Sequence, residues 1–201
     1  MTSAKQLLML FLVLAFAGMA SAQILEFGVG GGVSRLTNNT LGTVDTGQTT
    51  LKASLMNGWR LNFRMGINPY SHFGYEAGYS YVRTNLDYFG QQEVKAAAHQ
   101  GTFALLGYLT PEGTRIRPFF AGGAQFSTFP YPGYSVSQGA NETKFGINYG
   151  TGVKAKVTDK WLIRLDFRQY LSPKPDFGLA PQKPEGWLRM NEISMGVAFY
   201  M

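Results

Sequence analysis

Between Leu51 and Met65 two kinds of side chain alternate with period two. The odd positions read Leu51, Ala53, Leu55, Asn57, Trp59, Leu61, Phe63, Met65, and the even ones Lys52, Ser54, Met56, Gly58, Arg60, Asn62, Arg64. Successive side chains on a strand point to opposite faces. The run therefore predicts one long strand with an apolar, aromatic face and a small, charged face. Length separates the two settings in which such a strand occurs. Soluble strands are usually about five or six residues long, whereas a strand that crosses a bilayer needs about 9–11. This run exceeds the membrane requirement.

The pattern recurs along the chain. Phe145, Ile147, Tyr149, Val153, Ala155 and Val157 oppose Lys144, Asn148, Lys154, Lys156 and three glycines. Phe73, Tyr75, Ala77, Tyr79 and Tyr81 oppose Gly74, Glu76, Gly78 and Ser80. Trp161 to Arg168 and Glu192 to Met201 alternate in the same way. With weaker strands near Leu25 to Leu36, Ala98 to Leu109 and Ile116 to Phe129, the expected total is eight. The expected links alternate between long and short. Thr37–Thr50, Thr84–Ala97, Pro130–Glu142 and Ser172–Trp187 are long; Gly66–Ser71, Pro111–Gly113 and Thr158–Lys160 are short. An antiparallel barrel in an outer membrane has long extracellular loops, short periplasmic turns and an even strand number. The reading is all-β: an eight-stranded up-and-down transmembrane barrel with both chain ends on the periplasmic side.

The N-terminus supplies the address. Lys5 precedes the apolar run Leu7 to Gly18, and Ala20-Ser21-Ala22 fits a small-residue cleavage site. Residues 1–22 are expected to be a signal peptide and 23–201 the barrel domain. The apolar run is short of the roughly 20 residues of a spanning helix. The chain has no cysteine, which excludes a disulfide-stapled secreted scaffold. Its net charge of +6 comes without a dense Lys/Arg cluster, so nucleic acid is not an expected partner. The basic balance is compatible with anionic lipopolysaccharide and outer-membrane lipid as surroundings.

Several segments resemble the OmpA-like outer membrane protein β-barrel family. They are Arg117-Pro118-Phe119-Phe120-Ala121-Gly122-Gly123, Gly150 to Lys154 followed by Thr158-Asp159-Lys160-Trp161, Arg164 to Arg168, and the closing Glu192 to Phe199. Their order and spacing carry the likeness, which spans the whole mature chain. It implies a monomeric Gram-negative outer-membrane barrel whose C-terminal strand is read by the barrel-insertion machinery. The family's usual final Phe is replaced by Met201, still an apolar residue in the outward register. No peptidoglycan-binding domain follows the barrel, so cell-wall tethering is not carried over.

An eight-stranded barrel is filled by its own side chains. The inward register contains Glu26, Lys52, Arg60, Arg64, Glu76, Lys144, Lys154, Lys156, Arg164, Asp166, Arg168 and Glu192. Confined charges must pair or keep water. The expected centre is a structural cluster of Arg60, Glu76, Arg164, Asp166, Arg168 and Glu192, with a narrow ion pathway as the alternative. Catalysis is not expected. The two histidines, His72 and His99, lack a well-placed nucleophile: Ser71 adjoins His72 on the opposite register, and Thr102 lies opposite His99. That leaves a lipid A-modifying barrel enzyme as the remotest alternative, behind the narrow pore. No metal or cofactor site is visible, and Gly28 to Gly32 reads as a strand rather than a phosphate loop. The long links carry exposed aromatics. Tyr88, Phe89, Phe129, Tyr131, Tyr134, Phe177 and Trp187 are the expected loop contacts for a surface ligand.

Overall fold

The computed structural model describes residues 24–45, 49–134, 141–178 and 184–201. The expected signal peptide lies outside the described residues. Among the described residues ten strand segments occur: β1 (Ile24–Thr37), β2 (Thr40–Asp45), β3 (Thr50–Leu55), β4 (Gly58–Asn68), β5 (Phe73–Tyr88), β6 (Gln92–Tyr108), β7 (Ile116–Pro130), β8 (Asn141–Lys156), β9 (Trp161–Pro173) and β10 (Trp187–Tyr200). Eight of them close into an antiparallel ring, in the order β1-β4-β5-β6-β7-β8-β9-β10 and back to β1. The other two form the β2–β3 hairpin, in which β3 continues the line of β4 and pairs with the upper end of β5. The expected eight-stranded barrel is the observed fold.

Closure fixes the slant of the strands. Pairing leads from Leu25 through Ile67, Tyr75, Leu105, Gly122, Tyr149, Gln169 and Asn191 back to β1 at Arg35, a stagger of ten residues (25 to 35). Closing a sheet with such a shear tilts strands by roughly 35–45° to the barrel axis. Every strand of the ring has two hydrogen-bonded neighbours, which satisfies the backbone inside lipid.

The outward faces form a continuous apolar belt. Phe27, Val29 and Val33 on β1, Trp59, Leu61, Phe63 and Met65 on β4, Phe103 and Leu105 on β6, and Ile193, Met195 and Val197 on β10 are all exposed. The inward register is polar. Above the belt, toward the long-loop rim, the polarity reverses. On β5 the outward residues Arg83, Asn85 and Asp87 are polar, and the inward Val82 and Leu86 are buried. Lipid outside and charge inside gives way to water outside and an apolar core inside.

This reversal corrects the reading of Leu51 to Met65 as one uninterrupted strand. Leu55 pairs with Leu86 and Trp59 with Arg83, so one extra residue is accommodated at Met56-Asn57. A one-residue bulge swaps the faces of everything beyond it. Ala53 and Leu55 are therefore buried inside, whereas Trp59, Leu61, Phe63 and Met65 face outward. Lys52, expected in the lumen, is exposed.

The Thr84–Ala97 link is also corrected. β5 runs to Tyr88 and β6 starts at Gln92, so residues 89–91 alone connect them. Phe89 and Gly90 turn the chain with positive φ. The segment is a strand pair projecting above the belt, paired from Thr84↔Ala96 to Tyr88↔Gln92. The strict alternation of long and short links fails here, although the two-sided bias persists. Both described ends lie at the short-turn rim, where Met201 N–H donates to Leu25 O at 2.8 Å.

Candidate functional site

The lumen is filled in layers. At its centre Arg64, on β4, donates to Asp166 at 3.0 Å and to Glu192 at 2.8 Å. Arg164 grips Asp166 through Nε at 2.6 Å and Nη2 at 2.8 Å, and also donates to Glu76. Arg168 reaches Glu76 at 2.7 Å and Asp166 at 3.2 Å. Arg60 donates to Gln100 at 3.0 Å, lies 3.4 Å from Glu192, and stacks over the Tyr170 ring at 4.6 Å. Glu192 also accepts from Asn62 at 2.7 Å, from Tyr170 and from Ser194. The period-two strand explains the assembly: Arg164, Asp166 and Arg168 are consecutive inward residues of β9, placing a carboxylate between two guanidiniums.

The structure brings all six expected cluster residues together and adds Arg64, which the inward register contained but the expected centre omitted. Four guanidiniums (Arg60, Arg64, Arg164, Arg168) meet three carboxylates (Glu76, Asp166, Glu192). Arg168 Nη1 is buried with no hydrogen-bond partner among the described residues. Desolvated charges are tolerable only when paired and hydrogen-bonded, and the bidentate, shared geometry meets that condition.

Below this layer, toward the short turns, Lys154 Nζ lies 2.5 Å from Glu26 and 2.8 Å from the Tyr108 hydroxyl, which in turn donates to Asn68 at 2.8 Å. Arg117 stacks 3.7 Å over the Tyr108 ring and pairs with Glu112. Strand parity places Arg117, Tyr108 and Lys154 inward, but nothing in the sequence signals that they meet. Of the remaining inward lysines, Lys144 pairs with Glu142 near the long-loop rim and Lys156 with Asp159 at the short turns.

Above the ionic layer the lumen is closed by apolar side chains. Leu36, Leu41, Leu55, Val82, Leu86, Phe129, Tyr170, Phe177, Leu188 and Met190 form one buried cluster. Two expected loop contacts are thereby corrected: Phe129 is an inward residue of β7 and Phe177 folds down over the same core, so neither is available to a ligand. Tyr88, Tyr131, Tyr134 and Trp187 are exposed. Phe89 is partly exposed and packs edge-on against Tyr88. Lys174, just above β9, lines a cleft with Thr40 to Thr43, Pro184 and Glu185, and burial draws its ammonium below the usual lysine range.

The histidines lie outside the lumen. Ser71 Oγ and His72 Nδ1 are 3.0 Å apart on the exposed turn between β4 and β5. The register argument for keeping them apart fails because a turn has no strand alternation. His99 faces outward, 2.6 Å from the Tyr79 hydroxyl and edge-on to Tyr81. Gly28 to Gly32 lie within β1, and no cluster of metal-ligating residues occurs among the described residues.

Residues 8–199 match the family described as outer membrane protein beta-barrel domain. No curated protein matches the sequence. Among solved structures the chain resembles OprG from Pseudomonas aeruginosa (TM-score 0.60, 11% identity, 89% of this chain and 95% of that one). It also resembles Neisserial surface protein A (TM-score 0.56, 12% identity, 89% and 97%). A third is Ail, the attachment invasion locus protein of Yersinia pestis, solved with the heparin analogue sucrose octasulfate (TM-score 0.50, 12% identity, 89% and 99%). At these identities the likeness is one of fold.

Proposed function

The chain belongs to the outer membrane protein beta-barrel family, and with the bacterial outer membrane as its place we propose a non-enzymatic structural barrel that meets surface ligands through its long-loop rim. The observation that supports this reading is a lumen sealed twice, by an apolar core above and a paired ionic layer below. A sealed scaffold leaves the projecting strands and loops as the accessible surface. The long-loop rim faces the outside and both chain ends face the periplasm, in keeping with barrels of this class. Residues 1–22 act as the cleaved export signal, and the last strand is the contact for the insertion machinery.

The contacts we assign to a ligand are Tyr88, Phe89, Tyr131, Tyr134 and Trp187. Aromatic rings on a rigid scaffold offer large contact area at low entropic cost. The test is deletion of residues 131–140, followed by binding of labelled cells to immobilised glycans and host matrix. Loss of binding with an unchanged heat-modifiable gel shift supports the reading; unchanged binding removes it. Recovery of the protein in the soluble periplasmic fraction would defeat the whole proposal.

A narrow pore is the second reading. It is favoured by Arg168 Nη1, a buried donor in the ionic layer with no hydrogen-bond partner among the described residues. Discrete conductance steps in planar bilayers would establish it, and silence would exclude it.

A further inference from the structure

One stretch of the outer wall breaks the pattern of the rest. On β8, β9, β10 and β1 every carboxylate, namely Glu142, Asp166, Glu192 and Glu26, occupies the inward register. The outer face of these strands carries two arginines, Arg35 and Arg189, both exposed and forming no ion pair or hydrogen bond among the described residues. On the opposite wall the cations Arg83 and Lys95 share their face with Asp87 and Glu93. The basic wall is therefore uncompensated and one-sided.

The register sets its geometry. Arg35 pairs with Asn191 and Thr37 with Arg189, which makes the two arginines diagonal neighbours across the β1–β10 seam. Diagonal neighbours on one face lie about 7 Å apart, and like charges at that range destabilise each other. An anion between them removes the penalty. A third donor stands directly opposite Arg35. Tyr149 OH donates to Gln169, whose Nε2 donates to Asn191 Oδ1 at 2.7 Å. With its oxygen engaged, Asn191 keeps its NH2 group for an acceptor outside the protein. The register thus puts three donors from two adjacent strands on one patch of the outer face.

Height identifies the acceptor. Leu25 stands at the short-turn rim, and Arg35 is ten residues along the same tilted strand (25 to 35). At about 3.3 Å per residue and roughly 40° of tilt, that rise is about 25 Å, the height of the apolar band of an outer-membrane barrel. Directly below the arginines, Val33, Ile193 and Phe167 are exposed and apolar. The ligand thus has phosphate-like charge above and hydrocarbon below.

We propose that Arg35, Arg189 and Asn191 form a binding site for a phosphate of lipopolysaccharide, with its acyl chains against Val33, Ile193 and Phe167. This assignment rests on the reading that the long-loop rim faces outward. Guanidinium pairs suit phosphate because their fixed donor forks match its oxygens.

The test is titration of the refolded barrel in zwitterionic micelles with diphosphorylated lipid A, followed by native mass spectrometry. The Arg35→Gln/Arg189→Gln variant is expected to weaken retention at least tenfold, and Arg83→Gln to leave it unchanged. Dephosphorylated lipid A should bind the wild type as poorly as lipid A binds the double variant. Equal retention by wild type and double variant overturns the proposal, and equal affinity for phosphatidylglycerol overturns the assignment to lipopolysaccharide. Should the double variant lose its folded gel band, Asn191→Asp, which sets a carboxylate at the same point, must produce the same loss. Micelle binding does not depend on orientation, whereas protease shaving of intact cells reads orientation alone, so the two readings fail separately.

Discussion

Arg64 Nη2 donates to Glu192 Oε1 at 2.8 Å although their strands, β4 and β10, are separated by β1. The contact runs across the lumen rather than along the wall. It ties β4 to β10 in a way the backbone ladder does not, and Glu192 is its hub, with Arg60, Asn62, Tyr170 and Ser194 converging on the same carboxylate.

Removing that hub strands the Arg60 guanidinium in the interior and leaves Arg64 with Asp166 as its nearest carboxylate. Glu192→Ala is expected to lower stability by about 3–5 kcal/mol, the cost of leaving a buried charge uncompensated. Urea unfolding of the barrel in lipid vesicles measures it. A loss below 1 kcal/mol would show that water replaces the carboxylate without penalty.

The bulge at Met56-Asn57 makes opposite predictions for two residues three apart. Leu55, buried, should lose about 2–5 kcal/mol of local stability on change to Ala. Lys52, exposed, should change by less than about 0.5 kcal/mol. Hydrogen exchange across Thr50–Leu55 reads both. Equal effects would mean that the faces are not exchanged.

The two seals act in series. The wild type is expected to be silent in planar bilayers, and Phe129→Ala/Phe177→Ala, which opens the upper core, is expected to stay silent because the Arg168–Glu76 and Arg64–Asp166 contacts remain below it. Conductance in the double variant alone would place the barrier in the apolar layer.

Two glycines should respond differently to the same substitution. A Cβ at Gly123 would lie 1.9 Å from the Phe103 carbonyl oxygen, which belongs to the neighbouring strand and cannot move alone. A Cβ at Gly101 would meet the Phe126 ring, 2.2 Å away, on the lipid face where the side chain has room to turn. Gly123→Ala is expected to destabilise by at least about 3 kcal/mol, above the usual overpacking range, and Gly101→Ala by about 1 kcal/mol. Thermal scans of the folded gel band rank them, and a reversed order would refute the argument.

The membrane belt was legible because lipid imposes one rule on every strand that crosses it: Trp161, Ile163, Leu165 and Phe167 face outward because the alternation has a single phase there. The inward charges followed from the same parity. Two features were hidden, and for one reason. Above the belt the outer medium changes from hydrocarbon to water, so the apolar phase should shift, as it does on β5 between Tyr81 and Val82. Between Leu55 and Trp59 the bulge shifts the backbone by one residue as well. The two shifts cancel, and the sequence reads as one unbroken strand. Phe129 and Phe177 were misplaced because an aromatic residue near a proline-rich link looks the same whether it folds inward or outward. The partners of Lys154 were not legible either, since parity gives a face and not a neighbour.

The reversal of polarity at the level of Arg35, Arg83 and Asn191 divides the molecule into two storeys that answer to different solvents. The lower storey is bound to its lipid and to its ring of charges. The upper one obeys the rules of a water-soluble sheet, with a core of its own. A boundary of this kind lets the upper storey accept new sequences without disturbing insertion, so it is the place where such a chain can diversify: grafts should be made above this line and matched to the apolar core rather than to the membrane.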